Sequence, residues 1–165
     1  MSDKLSEAMT WLGEQEGVLF IGQGVGCLGT RMSPSLEGVE SSKKIEFPVA
    51  EQLQLGVSIG LALENFVPIS VFPRVNFLFC AMDQLINHLD KLPIYSDYRP
   101  KVIIRTAIGS KKPLDAGPQH TGDYFEALSG MLETVITRRV VANADPLIVY
   151  QEAYRRNEST LVMEG

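Results

Sequence analysis

Few side chains in this chain are suited to chemistry, and the most conspicuous is Glu51. It lies in Phe47-Pro-Val-Ala-Glu51-Gln52-Leu-Gln-Leu-Gly56-Val-Ser-Ile-Gly60-Leu-Ala-Leu63, an apolar stretch with small residues at Gly56, Ser58, Gly60 and Ala62. Proline is favourable in a first helical turn because its missing N–H would have no partner there. Pro48 therefore predicts the start of a helix buried on most sides, with Glu51 in its first turn. An acidic group at that place either complements the helix dipole or works as a carboxylate. The two histidines, His88 and His120, and the two cysteines, Cys27 and Cys80, show no metal-ligand spacing. Two cysteines are also too few for a disulfide framework, which points to a reducing compartment. Gly24-Val-Gly26-Cys-Leu-Gly29 fits the pattern G-x-G-x-x-G directly after a strand. A dinucleotide site needs those glycines to open a helix. Thr30-Arg-Met-Ser-Pro-Ser follows instead, so the stretch reads as a tight turn at a sheet edge, with nucleotide binding as its alternative use.

The elements that must hold these residues are legible from periodicity. Leu5, Met9 and Leu12 have helical spacing over 4–15, and Gly17 ends that helix. Val18-Leu-Phe-Ile21 reads as a short strand buried on both faces, and Lys44-Ile-Glu-Phe47 as another. Asn65 closes the central helix in place of a glycine. Val67-Pro-Ile-Ser-Val-Phe72 is strand-like, and Asn76 is placed to cap a helix from Phe77 to about Lys91. Lys101-Val-Ile-Ile-Arg105 predicts a strand, and residues 106–121, with two prolines and a lysine pair, a long loop of the kind that often carries function. A helix over Asp123 to Gly130, a strand over Thr134–Thr137, a helix over Asp145–Arg155 with Pro146 in its first turn, and a strand at Leu161-Val-Met163 complete the chain.

Alternating helices and short apolar strands predict an α/β fold, with a parallel sheet covered by helices on both faces. Ligands of such folds collect beyond the carboxyl ends of the strands. Glu51, Phe77 and His120 each sit just past a predicted strand, which favours the working carboxylate at Glu51. At 165 residues the chain reads as one domain. Hydrophobic content of 45% with 21% charged residues is ordinary for a globular protein, and a net charge of −5 argues against a nucleic-acid surface. No apolar run has the length of a membrane span, and the first residues lack the apolar core of a secretory signal, so the expected location is the cytoplasm.

Three segments together carry a family resemblance. They are Pro48-Val-Ala-Glu51-Gln52 with Gly56 and Gly60-Leu-Ala-Leu; Asn76-Phe77-Leu-Phe-Cys-Ala-Met-Asp83-Gln84; and Val102-Ile-Ile-Arg105-Thr with Gly117-Pro-Gln119-His120-Thr. In this order and spacing they resemble the pyrimidine-binding domain of thiamin-diphosphate enzymes, the group of transketolases and 2-oxo acid dehydrogenase β subunits. The resemblance implies a three-layer αβα fold with a mostly parallel sheet of about six strands. It implies that Glu51 hydrogen-bonds the aminopyrimidine ring of thiamin diphosphate, that Phe77 stacks on that ring, and that His120 reaches the substrate as a general acid or base or as a donor to a developing oxyanion. By the same resemblance Glu51 and His120 are the catalytic candidates and Glu51 and Phe77 the cofactor-binding ones.

Two departures qualify what the resemblance implies. Gln23-Gly24 stands where dehydrogenase β subunits usually carry an acidic pair, and the chain stops after Met163-Glu-Gly165, where the family continues into a further domain. The family's diphosphate-binding Gly-Asp-Gly motif is absent; the one Gly-Asp, Gly122-Asp123, precedes Tyr. The expectation is a single pyrimidine-binding domain over 1–165, with neither the diphosphate-binding nor the C-terminal transketolase domain. A second subunit would then hold the diphosphate with Mg2+ or Ca2+, this chain supplying no metal ligand, in an α2β2 assembly acting on a ketose or 2-oxo acid. Nucleic acid and membrane are not expected partners. The alternative is a non-catalytic regulatory or scaffolding subunit with a relic of the cofactor site, the reading that Gln23-Gly24 favours.

Overall fold

The computed structural model describes residues 2–109 and 115–165. The helices are α1 (Ser2–Glu14), α2 (Glu51–Leu63), α3 (Val75–Leu78), α4 (Leu92–Tyr95), α5 (Phe125–Met131) and α6 (Pro146–Arg155). The strands are β1 (Val18–Gly22), β2 (Lys44–Glu46), β3 (Val67–Phe72), β4 (Ile103–Ala107), β5 (Ile136–Val140) and β6 (Thr160–Glu164). They form one six-stranded sheet in the order β2-β1-β3-β4-β6-β5, every pair parallel.

Strands of a parallel sheet are buried on both sides, so successive side chains must be apolar while pointing opposite ways. β3 meets that demand at every position but Ser70, and β6 over its central Leu161–Met163. Val18, Phe20, Ile69, Val71, Ile103 and Val162 pack with α1 and α6 in one core. Phe72, Ile104, Leu161 and Met163 pack with α2 and the segment 75–89 in the other. The layers are therefore helix, sheet, helix. At the point where the strand order reverses, between β1 and β3, the backbones are tightly apposed. A Cβ on Gly22 would collide with the Val71 carbonyl, so only glycine fits there.

Several boundaries differ from expectation, each for a physical reason. Pro48 lies before α2 rather than in its first turn, and Ala50 occupies the cap. The Phe47 N–H still bonds the Gly22 carbonyl at 2.9 Å, so the chain leaves the sheet only after it and Pro48 belongs to the link. Nor is α2 buried on most sides: Leu53, Val57 and Leu63 line an exposed apolar face. Asn76 is not a cap; Arg74 holds that place and α3 begins at Val75. The expected regular helix from Phe77 is a composite, with a 3-10 turn at Phe79–Ala81 and a π-helical stretch at Asp83–Leu89. The buried positions explain it: Val75, Leu78 and Ala81 are three apart, Ala81, Leu85 and Leu89 four apart. A tight turn keeps the first set on one face and a wide turn the second. β4 and β5 start two residues later than expected because their registers are set by β6, with Ile103 and Ile136 both opposite Thr160. Asn65 does close α2, with φ 67°. The lysine pair of the long loop, Lys111-Lys112, lies outside the described residues.

Candidate functional site

All strands run the same way, so the segments that follow β1, β2, β3 and β4 emerge at one end of the sheet. Gln23 comes after β1, Glu51 after β2, Phe77 after β3 and His120 after β4. The topology thus gathers all three expected site residues at one edge.

Glu51 opens α2, where the unpaired N–H groups and the helix dipole favour an acidic side chain. It is only 7% exposed. Gln23 Nε2 donates to its Oε1 at 3.4 Å, a partner the sequence alone did not indicate. Glu51 also forms part of the wall of an open groove of about 550 Å3, with Ala50, Leu53, Gly56, Cys80 and Gln84. One turn further, Gln54 Nε2 reaches the Ser70 hydroxyl and the Val71 carbonyl, both at 3.1 Å, which ties α2 to β3 beneath the groove. Asp83, by contrast, serves the helix surface: it accepts from Asn87 at 2.9 Å and pairs with exposed His88 at 3.6 Å.

Phe77 and His120 are brought into contact, with ring centroids 5.8 Å apart and planes inclined by 47°. His120 ends a 3-10 turn, Pro118–His120, that packs against the backbone just beyond β4. There a Cβ on Gly109 would collide with the His120 carbonyl, so this glycine sets how close the turn can come. His120 Nδ1 is buried without a hydrogen-bond partner among the described residues. A buried polar atom left unpaired costs about 1–3 kcal/mol, and such atoms gather where a ligand group will complete them. Glu51, for its part, accepts from Gln23.

The Gly-rich loop is already occupied by the chain's own anion. Glu46 Oε1 accepts from the Gly24 N–H and Oε2 from the Gly26 N–H, both at 2.7 Å. The backbone donors that would cradle a phosphate are thus taken by a carboxylate, and a nucleotide phosphate would have to displace it. The tight-turn reading of this stretch holds. Among the described residues no group of three or more His, Cys, Asp and Glu side chains is arranged to hold a metal ion. No helix among them is long and apolar enough to cross a membrane.

A six-stranded parallel sheet between helix layers, with its candidate residues at the carboxyl edge, is the α/β architecture of transketolases. The fold matches the Campylobacter jejuni transketolase with a TM-score of 0.76 at 17% identity, over 98% of this chain and 25% of that one. It matches a split-gene transketolase, solved as an inactive β4 tetramer, with a TM-score of 0.74 at 15% identity, over 98% of this chain and 49% of that one. In sequence the chain is similar to 2-oxo acid dehydrogenase β subunits. It is 29% identical over 174 aligned residues to the mitochondrial 2-oxoisovalerate dehydrogenase subunit beta of Chaetomium thermophilum, covering 99% of this chain and 35% of the relative. It is 28% identical over 121 residues to the 3-methyl-2-oxobutanoate dehydrogenase subunit beta of Mycobacterium tuberculosis, covering 66% of this chain and 34% of the relative. The chain therefore spans about a third of the length of these two relatives. No family model matches it. The chain is thus similar in fold to transketolases and in sequence to 2-oxo acid dehydrogenase β subunits.

Proposed function

We propose that this chain is the pyrimidine-binding subunit of a two-component thiamin-diphosphate-dependent enzyme, acting in the cytoplasm. The complex would cleave a C–C bond next to the carbonyl of a ketose or 2-oxo acid and transfer the activated aldehyde. The observation that carries this reading is the setting of Glu51: a carboxylate 7% exposed, at the head of a helix, in the wall of an open groove.

The residues present fit half of the cofactor. Glu51 offers a carboxylate to a heteroaromatic ring nitrogen, and Phe77 offers an aromatic face. His120 Nδ1, buried and unpartnered, offers a proton-exchanging group to a substrate oxygen. The chemistry that bound thiamin diphosphate would supply there is nucleophilic addition to a carbonyl carbon. Gln23 orients Glu51 through its amide. Among the described residues the Gly-rich loop leaves no free diphosphate cradle, since the Gly24 and Gly26 N–H groups are engaged by Glu46. The diphosphate and its Mg2+ or Ca2+ therefore fall to a partner subunit carrying Gly-Asp-Gly, in an α2β2 assembly. Val49, 77% exposed, and Leu53, 58% exposed, flank Glu51 and give that partner an apolar surface.

The test is calorimetric titration of thiamin diphosphate with Mg2+ into the mixed subunits. Saturable binding is expected for the mixture and not for either chain alone. Glu51→Gln in the complex should lower turnover by about 10²–10⁴-fold, the range for loss of a proton-transfer group; near-normal turnover would overturn the assignment. A second reading, a regulatory subunit with a relic site, is favoured by Gln23, whose amide does not exchange protons with Glu51. Tight complex formation without cofactor binding would support it.

A further inference from the structure

We propose that the cavity between α1 and the carboxyl ends of β4 and β6 is a second ligand site, for a short aliphatic carboxylate. It lies on the face of the sheet opposite α2. Ile104 packs toward α2, whereas the next residue, Arg105, points toward Tyr150 of α6. The proposal is therefore independent of the function assigned to the Glu51 groove.

The cavity holds about 270 Å3. Its polar lining is Arg31, Ser35, Arg105 and Glu164, and its apolar walls are Leu5, Met32 and Pro34. Arg105 is 1% exposed. Its Nε and Nη2 donate to the two oxygens of Glu164 at 2.7 and 3.2 Å, while Nη1 is buried with no partner among the described residues. Glu164 is fully engaged, because the Tyr150 hydroxyl also donates to its Oε1 at 2.7 Å. Two guanidinium groups against one carboxylate leave one net positive charge. A guanidinium N–H buried without an acceptor is unfavourable, and a carboxylate oxygen is its best complement. The volume is smaller than that of sites for drug-sized ligands and suits an acid of a few carbons. The apolar walls then select an aliphatic tail over a fully polar anion such as sulfate.

Arg31 gives the site its opening and a link to the opposite face. It is exposed, and its Nη1 donates to the Ile108 carbonyl at a long 3.4 Å. A bound carboxylate competes for that guanidinium. Ile108 is followed by Gly109, which backs directly onto the His120 carbonyl.

The test uses the full chain, with sodium isobutyrate as the probe and sodium sulfate as the anion control at equal ionic strength. Isobutyrate should raise the melting temperature saturably and give a calorimetric isotherm, and sulfate should not. Arg31→Gln, at an exposed position, should leave the ligand-free melting temperature unchanged and weaken isobutyrate binding by about tenfold or more. Leu5→Phe, which fills the apolar wall, should abolish binding while Arg31 remains. Equal effects of isobutyrate and sulfate, an unchanged isotherm in Arg31→Gln, or no saturable binding would each overturn the proposal. The last result would mean that water alone completes Arg105.

Discussion

At the scale of single residues, the partners of Glu46, Asp90 and Glu51 tell three uses of a carboxylate apart. Glu46 closes a loop, Asp90 ties two elements, and Glu51 has one long amide hydrogen bond beside an open groove. Asp90 is completely buried, and its Oδ1 accepts the N–H groups of Glu133, Thr134 and Val135 at 2.8–2.9 Å. Burial disfavours its charge, but the backbone N–H of Val135, then that of Thr134, the Lys91 ammonium and the Glu133 N–H outweigh burial and hold its carboxyl below the usual range. A carboxyl whose folded-state pKa is depressed contributes stability that is present above its unfolded value and is lost as pH falls through the folded one. The stabilisation by Asp90 should therefore be complete above about pH 4 and fade below it, from the ordinary value of 3.8 downward. Asp90→Ala leaves three backbone N–H groups unpaired and should cost about 3 kcal/mol at neutral pH. Chemical denaturation at pH 7 and pH 3 checks this: the wild-type advantage should shrink at pH 3. An equal difference at both values would show that Asp90 acts by packing alone.

At the scale of elements, α2 and the segment beyond β4 matter most. Leu53, Val57 and Leu63 lie along one side of α2, exposed by 58%, 36% and 37%, with Gly60 on the same face. An amphipathic helix buries its apolar side and exposes polar residues; α2 has apolar residues on both sides, and its outer one calls for a partner. Leu53→Glu should leave the melting temperature of this chain nearly unchanged and lower its affinity for the diphosphate-domain subunit by about tenfold or more. Sedimentation of the mixed subunits reads that difference, and unchanged association would exclude this face from the contact. Gly109 tests the other element. Gly109→Ala sets a methyl group against the His120 carbonyl, so the Pro118–His120 turn must move away. The expected result is a fall in kcat of the complex by about 10²-fold with cofactor affinity little changed, since misplacing a reacting group acts on the chemical step. A proportionate loss of cofactor affinity would instead mean that the turn shapes the cofactor pocket.

At the scale of the whole molecule, the grouping of the candidate residues follows from strand direction. An all-parallel sheet sends every strand-to-helix link to one edge, so Gln23, Glu51, Phe77 and His120, far apart in sequence, share that edge without any dedicated structure. The opposite edge is held by different devices: Asp90 anchors the start of β5, and the Ser159 hydroxyl joins the Pro100 carbonyl at 2.7 Å to the Val102 N–H at 3.0 Å. Buried polar atoms without a partner among the described residues occur at both ends, His120 Nδ1 and Arg105 Nη1 toward the carboxyl end and Thr160 Oγ1 at the start of β6.

The order of elements and the parallel class were determined by sequence alone. Apolar strand runs and helical spacings are local, and β3 spans the Val67–Phe72 that its composition predicted. Asn65 was legible for the same reason, since a left-handed residue closing a helix needs only its neighbours. Tertiary structure decided what depends on contacts between distant segments. The start of β4 was set by pairing with β6, and the irregular turns of 75–89 by the spacing of the residues it buries. The amide facing Glu51 comes from a residue 28 positions away, and Glu164, which holds Arg105, from one 59 positions away. Periodicity records which residues are buried, because burial repeats with the helix or strand period. It does not record which polar groups meet, because that is settled only when non-adjacent strands come to lie side by side.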